Sequence, residues 1–153
     1  MSDLKTNDPP LRLLMNFHQA FAGAQPDYVL QAPGREMWVA ASVDSKAFTI
    51  HAPDLNARTT FSRQTAKHKR TVLNRPLPRW ARYPAGVILQ LGMDGLDLQG
   101  IDAVVVGHET DVRYEYAVGV VFAALLHHIY QQPVEHNDLI EIVERARRDY
   151  IER

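Results

Sequence analysis

The 153-residue chain contains no cysteine. That absence excludes disulfides, a thiolate zinc centre and a cysteine nucleophile, and it agrees with a reducing compartment. No apolar run reaches the roughly 20 residues needed to span a bilayer. Met1 to Pro10 is polar and lacks the charged-then-apolar layout of a signal peptide. Charge of either sign is not in surplus: 17 Lys and Arg stand against 18 Asp and Glu, a formal net charge of -1. A general polyanion binder would carry a clear excess of Lys and Arg. Neither nucleic acid nor membrane is an expected partner, and a soluble cytoplasmic protein is the expectation. Internal repeats and low-complexity tracts are also missing.

What is present is enough for one domain. Hydrophobic residues make up 46% of the sequence, and a chain of this length buries roughly two-thirds of its unfolded surface. A single domain over residues 1–153 is expected, with 1–9 flexible. Leu11, Leu14, Phe17, His18 and Phe21 fall near helical spacing, and Gly23 is a plausible stop. Tyr28-Val29-Leu30 reads as a short strand, and Pro33-Gly34 as a turn. Met37 to Val43 and Ala47 to His51 are β-compatible runs that Asp44-Ser45-Lys46 would join as a hairpin. Thr59 to Phe61 suits another strand. Residues 63–79 are polar, basic and proline-punctuated, which predicts a surface loop.

Helix is expected again from Trp80 to about Leu91, and a buried strand over Ile101 to Val106. From Val112 to Tyr130 the chain is apolar on nearly every face, through Val118, Val120, Val121, Phe122, Leu125, Leu126 and Ile129. Such a helix belongs in a core or an interface. A last helix, capped by Asn137 or Asp138, carries an apolar stripe at Leu139, Val143, Ala146 and Tyr150. Glu141–Arg145 and Glu144–Arg148 have the spacing of favourable pairs on its surface. Strands and helices in this mixed order predict an α+β domain, a mixed sheet packed against helices.

Several segments, in order, resemble the N-terminal domain of galactokinase-type GHMP kinases. They are Ala32-Pro33-Gly34-Arg35, then Met37 to Ser42 with Phe48 to His51, then Trp80-Ala81-Arg82-Tyr83-Pro84-Ala85-Gly86-Val87, and then Gly100 to Gly107. Leu139 to Tyr150 looks like the helix that follows the family's phosphate loop. The resemblance implies a left-handed βαβ-type fold shared with a domain of ribosomal protein S5. It also implies ATP and magnesium as the family's cofactors. Arg35 matches the family's transition-state arginine, and Trp80 and Tyr83 match positions that contact adenine, a weak remnant of that pocket.

Three departures argue against phosphoryl transfer. After Arg35 the family continues with a sugar-binding loop, Val-Asn-Leu-Ile-Gly-Glu-His-x-Asp-Tyr, whereas here Glu36-Met37-Trp38 runs straight on. A sugar needs several convergent polar groups, because each buried hydroxyl must find a partner. At the phosphate loop the family has Pro-x-x-x-Gly-Leu-Ser-Ser-Ser-Ala, in which backbone N–H groups and a helix N-terminus hold the phosphates. Here the stretch is His108-Glu109-Thr110-Asp111-Val112-Arg113-Tyr114-Glu115-Tyr116-Ala117, with carboxylates where a triphosphate would lie. It reads as an ordinary capped helix start. Finally, the family's catalytic Asp segment and C-terminal domain have no counterpart before Arg153.

Each singled-out residue also has a plain reading. Arg35 beside a turn suits an ion pair, and Trp80 with Tyr83 suits packing at a helix start. His127 and His128 are adjacent and face different sides of a helix, and His136 lies beyond a turn, so no metal site is expected. Lys67-His68-Lys69-Arg70 suits a solvated loop. The resulting expectation is a non-catalytic galactokinase-like domain without a cofactor, a pseudoenzyme that associates as a homodimer or with a protein partner. The apolar helix at 118–129 is the feature expected to meet that partner. The alternative is an ATP-binding half of a GHMP-type sugar kinase, completed by a separate chain.

Overall fold

The structure, a computed structural model, describes residues 2–153, with the side chains of 2–10 and of Asp44 and Ser45 left aside. The flexibility expected of 1–9 concerns Met1 and side chains outside the described residues. The first helix, α1 (Ser2–Ala20), buries Leu13 and Phe17 on one face. Its last turn closes where the Gly23 N–H donates to the His18 carbonyl at 2.9 Å. Gly23 has φ +81°, a left-handed conformation that glycine adopts without a Cβ penalty.

Five strands follow among the helices: β1 (Tyr28–Gln31), β2 (Met37–Ser45), β3 (Phe48–Ala52), β4 (Ala57–Phe61) and, much later, β5 (Gly100–Gly107). They form one sheet in the order β1-β2-β5-β3-β4. All neighbours are antiparallel except β3 and β5, which run parallel with Phe48 beside Ile101 and His51 beside Val104. The sequence reads β2 and β3 as a hairpin, and the structure corrects this, because β5 lies between them. The reason is the apolar run Ala103 to Val106, which is buried on both faces and so takes the centre of the sheet.

The sheet separates two apolar layers. On one face, Leu13 and Phe17 of α1 pack on Ala40, Val104 and Val106. On the other lie α3 (Arg79–Met93), α4 (Asp111–Ile129) and α5 (His136–Ala146), the last continued by a π-helical turn over Arg147–Ile151. Gly119 of α4 lets α3 approach, since a Cβ there would stand 3.0 Å from the Tyr83 Cβ. Gly86 does the same for α5, with Ala146 at 2.9 Å from an added Cβ.

The all-round apolar character of α4 is therefore spent inside the chain. Val118, Val120, Val121, Phe122, Leu125 and Leu126 are all fully buried. The sequence-based argument that this helix needs a partner does not hold, because the sheet, α3 and α5 cover it.

Smaller differences have local causes. The predicted loop at 63–79 contains a helical turn, α2 (Arg63–Ala66), which Ser62 caps by accepting from the Thr65 N–H at 3.0 Å. Ala66 of this turn and Leu77 further along are buried. The N-cap of α5 is Glu135 rather than Asn137 or Asp138. Asp138 instead sits three residues in and accepts from the Glu135 N–H at 3.0 Å. Arg145 leaves Glu141 for Asp94, with both nitrogens at 3.2 Å. Glu144 pairs with Arg147 at 2.6 Å rather than with Arg148.

Candidate functional site

A cleft of about 700 Å³ opens where β5 ends and α4 begins, lined among others by Asp54, Leu55, Trp80, Gly107, Glu109 and Asp111. Among the acids that line it, Asp54 and Glu109 are brought in from different parts of the chain.

Asp54 comes first. A 3-10 turn over Pro53–Leu55 follows β3 directly and delivers Asp54 to the end of the neighbouring strand β5. One carboxylate oxygen accepts from the Gly107 N–H at 2.8 Å and from the Tyr114 hydroxyl at 2.9 Å. The other accepts from Arg12 of α1 at 2.6 Å. Burial first, and the Asp54 charge and hydrogen bond after it, push the Tyr114 hydroxyl far above the ordinary tyrosine range. Tyr114 thus remains a protonated donor. Only glycine fits at 107, because a Cβ there would lie 2.4 Å from the Glu36 carbonyl oxygen.

Glu109 is the second carboxylate. Arg35, from the turn between β1 and β2, donates to it twice, Nε at 3.0 Å and Nη2 at 2.7 Å. The same guanidinium lies 5.3 Å from the centre of the Tyr116 ring, a cation–π geometry. Tyr116 in turn donates to Glu144 of α5 at 2.9 Å. Burial, followed by this bond, pushes the Tyr116 hydroxyl up to about 12. The Arg147 hydrogen bond is the main cause that holds the Glu144 carboxyl below its ordinary value. A chain of contacts thus runs Glu109–Arg35–Tyr116–Glu144–Arg147. A third acid, Glu115, meets Arg79 at 3.2 Å, but that arginine side chain is 78% exposed, so the pair adds little.

The start of α4 is not the ordinary capped start expected from sequence. Thr110 stands at the N-cap position without a side-chain cap bond, and Asp111 has φ +53°. Left-handed backbone at a non-glycine residue is sparsely populated, although Asp tolerates it better than most. Glu109 meets Arg35, Asp54 meets Arg12 and Tyr114, and no side chain caps the helix at Thr110.

Of the residues predicted from sequence, Arg35 reaches the cleft's edge through its ion pair, and Trp80 lines the cleft while being only 8% exposed. Tyr83 points elsewhere, edge-on to Tyr116 with ring centres 5.6 Å apart. His127 is buried with Nδ1 2.6 Å from the Ala123 carbonyl, and His128 meets the Tyr28 ring edge-on. Among the described residues no group of three or more His, Cys, Asp or Glu is placed to hold a metal. No helix among them is long and apolar enough to cross a membrane. Asp54 and Tyr114 were missed in the sequence, and neither carries a local motif that would have singled it out.

No protein-family model matches the sequence, and no curated protein matches it. Solved structures do match in fold. A galactokinase from Lactococcus lactis complexed with galactose aligns over 90% of this chain and 42% of its own, with a TM-score of 0.69 at 13% identity. The mevalonate kinase of Methanococcus jannaschii aligns over 74% of this chain and 36% of its own, with a TM-score of 0.57 at 7% identity. The phosphomevalonate kinase of Streptococcus pneumoniae, in complex with phosphomevalonate and AMPPNP, aligns over 78% and 35%, with a TM-score of 0.52 at 13% identity. The chain spans less than half the length of each of these kinases. It has the fold of the N-terminal domain of galactokinase-like GHMP kinases.

Proposed function

We propose that this chain is a non-catalytic galactokinase-like domain that works by association, as a homodimer or with a protein partner, and transfers no phosphate. The observation that carries the first half is the pair of carboxylates at the end of β5. Asp54 takes the Gly107 N–H, and Glu109 takes both arms of Arg35. In the family this place belongs to the phosphate loop.

The magnitudes support that reading. Two like charges 4 Å apart oppose each other by about 4 kcal/mol at an effective dielectric of 20. Arg35 offsets part of this for Glu109 and Arg12 for Asp54, but the first offset uses the one arginine that resembles the family's catalytic cation. Phosphoryl transfer depends on charge stabilisation from several groups at once. The association half draws on the outer edge of β1, where no strand lies alongside among the described residues.

One observation favours a second reading, in which the chain is the ATP-binding half of a sugar kinase completed by a separate chain. Trp80 lines a cleft of about 700 Å³, a volume within the range of small-molecule sites. The two readings separate in an assay of ADP release with Mg-ATP and a panel of sugars, galactose included. Release above the no-sugar background by this chain alone would defeat the non-catalytic reading. Nucleotide binding that is lost in Trp80→Ala would promote the second.

A further inference from the structure

The rest of the chain treats the two edges of the sheet differently. Beside β4, the Val72 N–H donates to the Thr60 carbonyl at 3.0 Å, and a bridge between Arg70 and Pro76 closes the segment that lies there. Beside β1 no strand is found among the described residues. The Ala32 N–H donates to the Met37 carbonyl at 2.9 Å. Counting back by twos, Ala32, Leu30 and Tyr28 turn their backbone groups towards β2, while those of Val29 and Gln31 point outwards.

Edge strands usually carry a device that discourages pairing, such as lysine, proline or an edge bulge. β1 is short, at four residues, but Tyr-Val-Leu-Gln carries no lysine, proline or bulge, and Val29 is 47% exposed. On the helical side of this edge lie two grooves of about 470 and 420 Å³ that share His128 and Gln132. Tyr28 lines the first, and Leu30 lines the second together with Ala124, Val134 and Leu139.

We propose that β1 pairs antiparallel with the β1 of a second copy about a two-fold axis at Leu30, joining two sheets into one of ten strands. This deepens the association half of the proposed function and rests on it. In that register Val29 faces the partner's Gln31, and Gln31 faces the partner's Val29. These are the residues whose N–H and C=O groups point outwards, so four backbone hydrogen bonds form. Leu30 meets the partner's Leu30 on the helical side, over the groove that Leu30 already lines.

Three features select a second copy as the occupant. Unpaired backbone groups of an edge call for an extended strand. A two-fold axis at Leu30, normal to the sheet, keeps Tyr28 and Leu30 of both strands on the helical face. The strand is uncharged, so no like charges are opposed across the axis. An isologous contact of this kind also closes on itself.

The test uses the absence of native cysteine. Opposed residues in a non-hydrogen-bonded antiparallel pair have Cα atoms about 4.5 Å apart, within the range a disulfide spans. Leu30→Cys should therefore yield a disulfide-linked dimer on mild oxidation. Leu73→Cys, 75% exposed beside the opposite edge of the sheet, should stay monomeric on a denaturing gel under the same conditions. In light scattering the wild type should have twice the monomer mass, and Val29→Pro should have the monomer mass. The proline costs no internal bond, because the Val29 N–H points outwards. Val29→Lys gives the same reading should the proline variant lose its circular dichroism. A dimer that survives both Val29 variants, with no Leu30→Cys cross-link, would place the interface elsewhere and leave association standing. A wild type that stays monomeric to about 100 μM, well above typical specific affinities, would overturn both.

Discussion

Arg35 and Glu109, 74 positions apart in the chain, are joined by two parallel hydrogen bonds of 3.0 and 2.7 Å beside the cleft that Glu109 lines. Their side chains are 22% and 13% exposed, between a surface pair worth almost nothing and a buried one whose disruption costs several kcal/mol. Glu109→Gln should accordingly destabilise the fold by about 1–2 kcal/mol, a fall in Tm of roughly 2–8 °C for a chain of this size. A double-mutant cycle with Arg35→Met measures the coupling directly. Additive single effects would mean that the pair is a bystander.

Asp54 should matter more. It receives the Gly107 N–H, the Tyr114 hydroxyl and Arg12 together. Asp54→Ala leaves all three donors without their acceptor, at about 2–4 kcal/mol in total. Urea denaturation reads this as a lower midpoint at unchanged slope. A loss below 1 kcal/mol would show that water replaces the carboxylate without penalty.

The glycine beneath that carboxylate admits no substitution. A Cβ at 107 would stand 2.4 Å from the Glu36 carbonyl oxygen and 2.9 Å from the Met37 side chain. Backbone cannot give way as a side-chain tip can, so Gly107→Ala should cost about 3 kcal/mol or more. Gly95→Ala makes a useful comparison. An added Cβ there meets nothing within 4 Å, and its cost comes only from φ +101°. The Tm of Gly107→Ala should be the lower of the two.

Two groups give the stability a defined pH dependence. Burial is the larger cause, and Arg58 the smaller, that hold His51 below its ordinary 6.5. Glu144 is held below its ordinary 4.5, chiefly by Arg147. In both cases the unfolded chain binds more protons than the folded one, so stability is complete above the ordinary value and is lost as pH falls. Loss due to His51 should begin near pH 6.5, and loss due to Glu144 near 4.5. Chemical denaturation from about pH 2.5 to 8, a span that reaches below the lowered Glu144 value, should show His51→Phe flattening the upper limb and Glu144→Gln the lower. An unchanged upper limb in His51→Phe would assign that titration to another group.

The strands, the three long helices after β4 and the buried stripe of α5 were legible because periodicity is local. Leu139, Val143, Ala146 and Tyr150 carry their burial in their spacing. Topology was less legible. Turn residues at 44–46 suit a hairpin, and only the apolar run of β5, over fifty residues later, reveals that a strand comes between. The cleft was half legible. The acids at 109 and 111 were visible as residues out of place for a phosphate loop, whereas Asp54 lies in an unremarked turn and becomes significant only when β3 is laid beside β5. The apolar helix misled for a related reason, since burial is written in sequence but the identity of the covering surface is not.

The central claim, that carboxylates have taken the place of a phosphate site, is tested most directly by isothermal titration of the purified chain with Mg-ATP. The account predicts no heat beyond dilution up to millimolar nucleotide, about 4 kcal/mol of affinity or less. Micromolar binding, lost in Trp80→Ala, would contradict it.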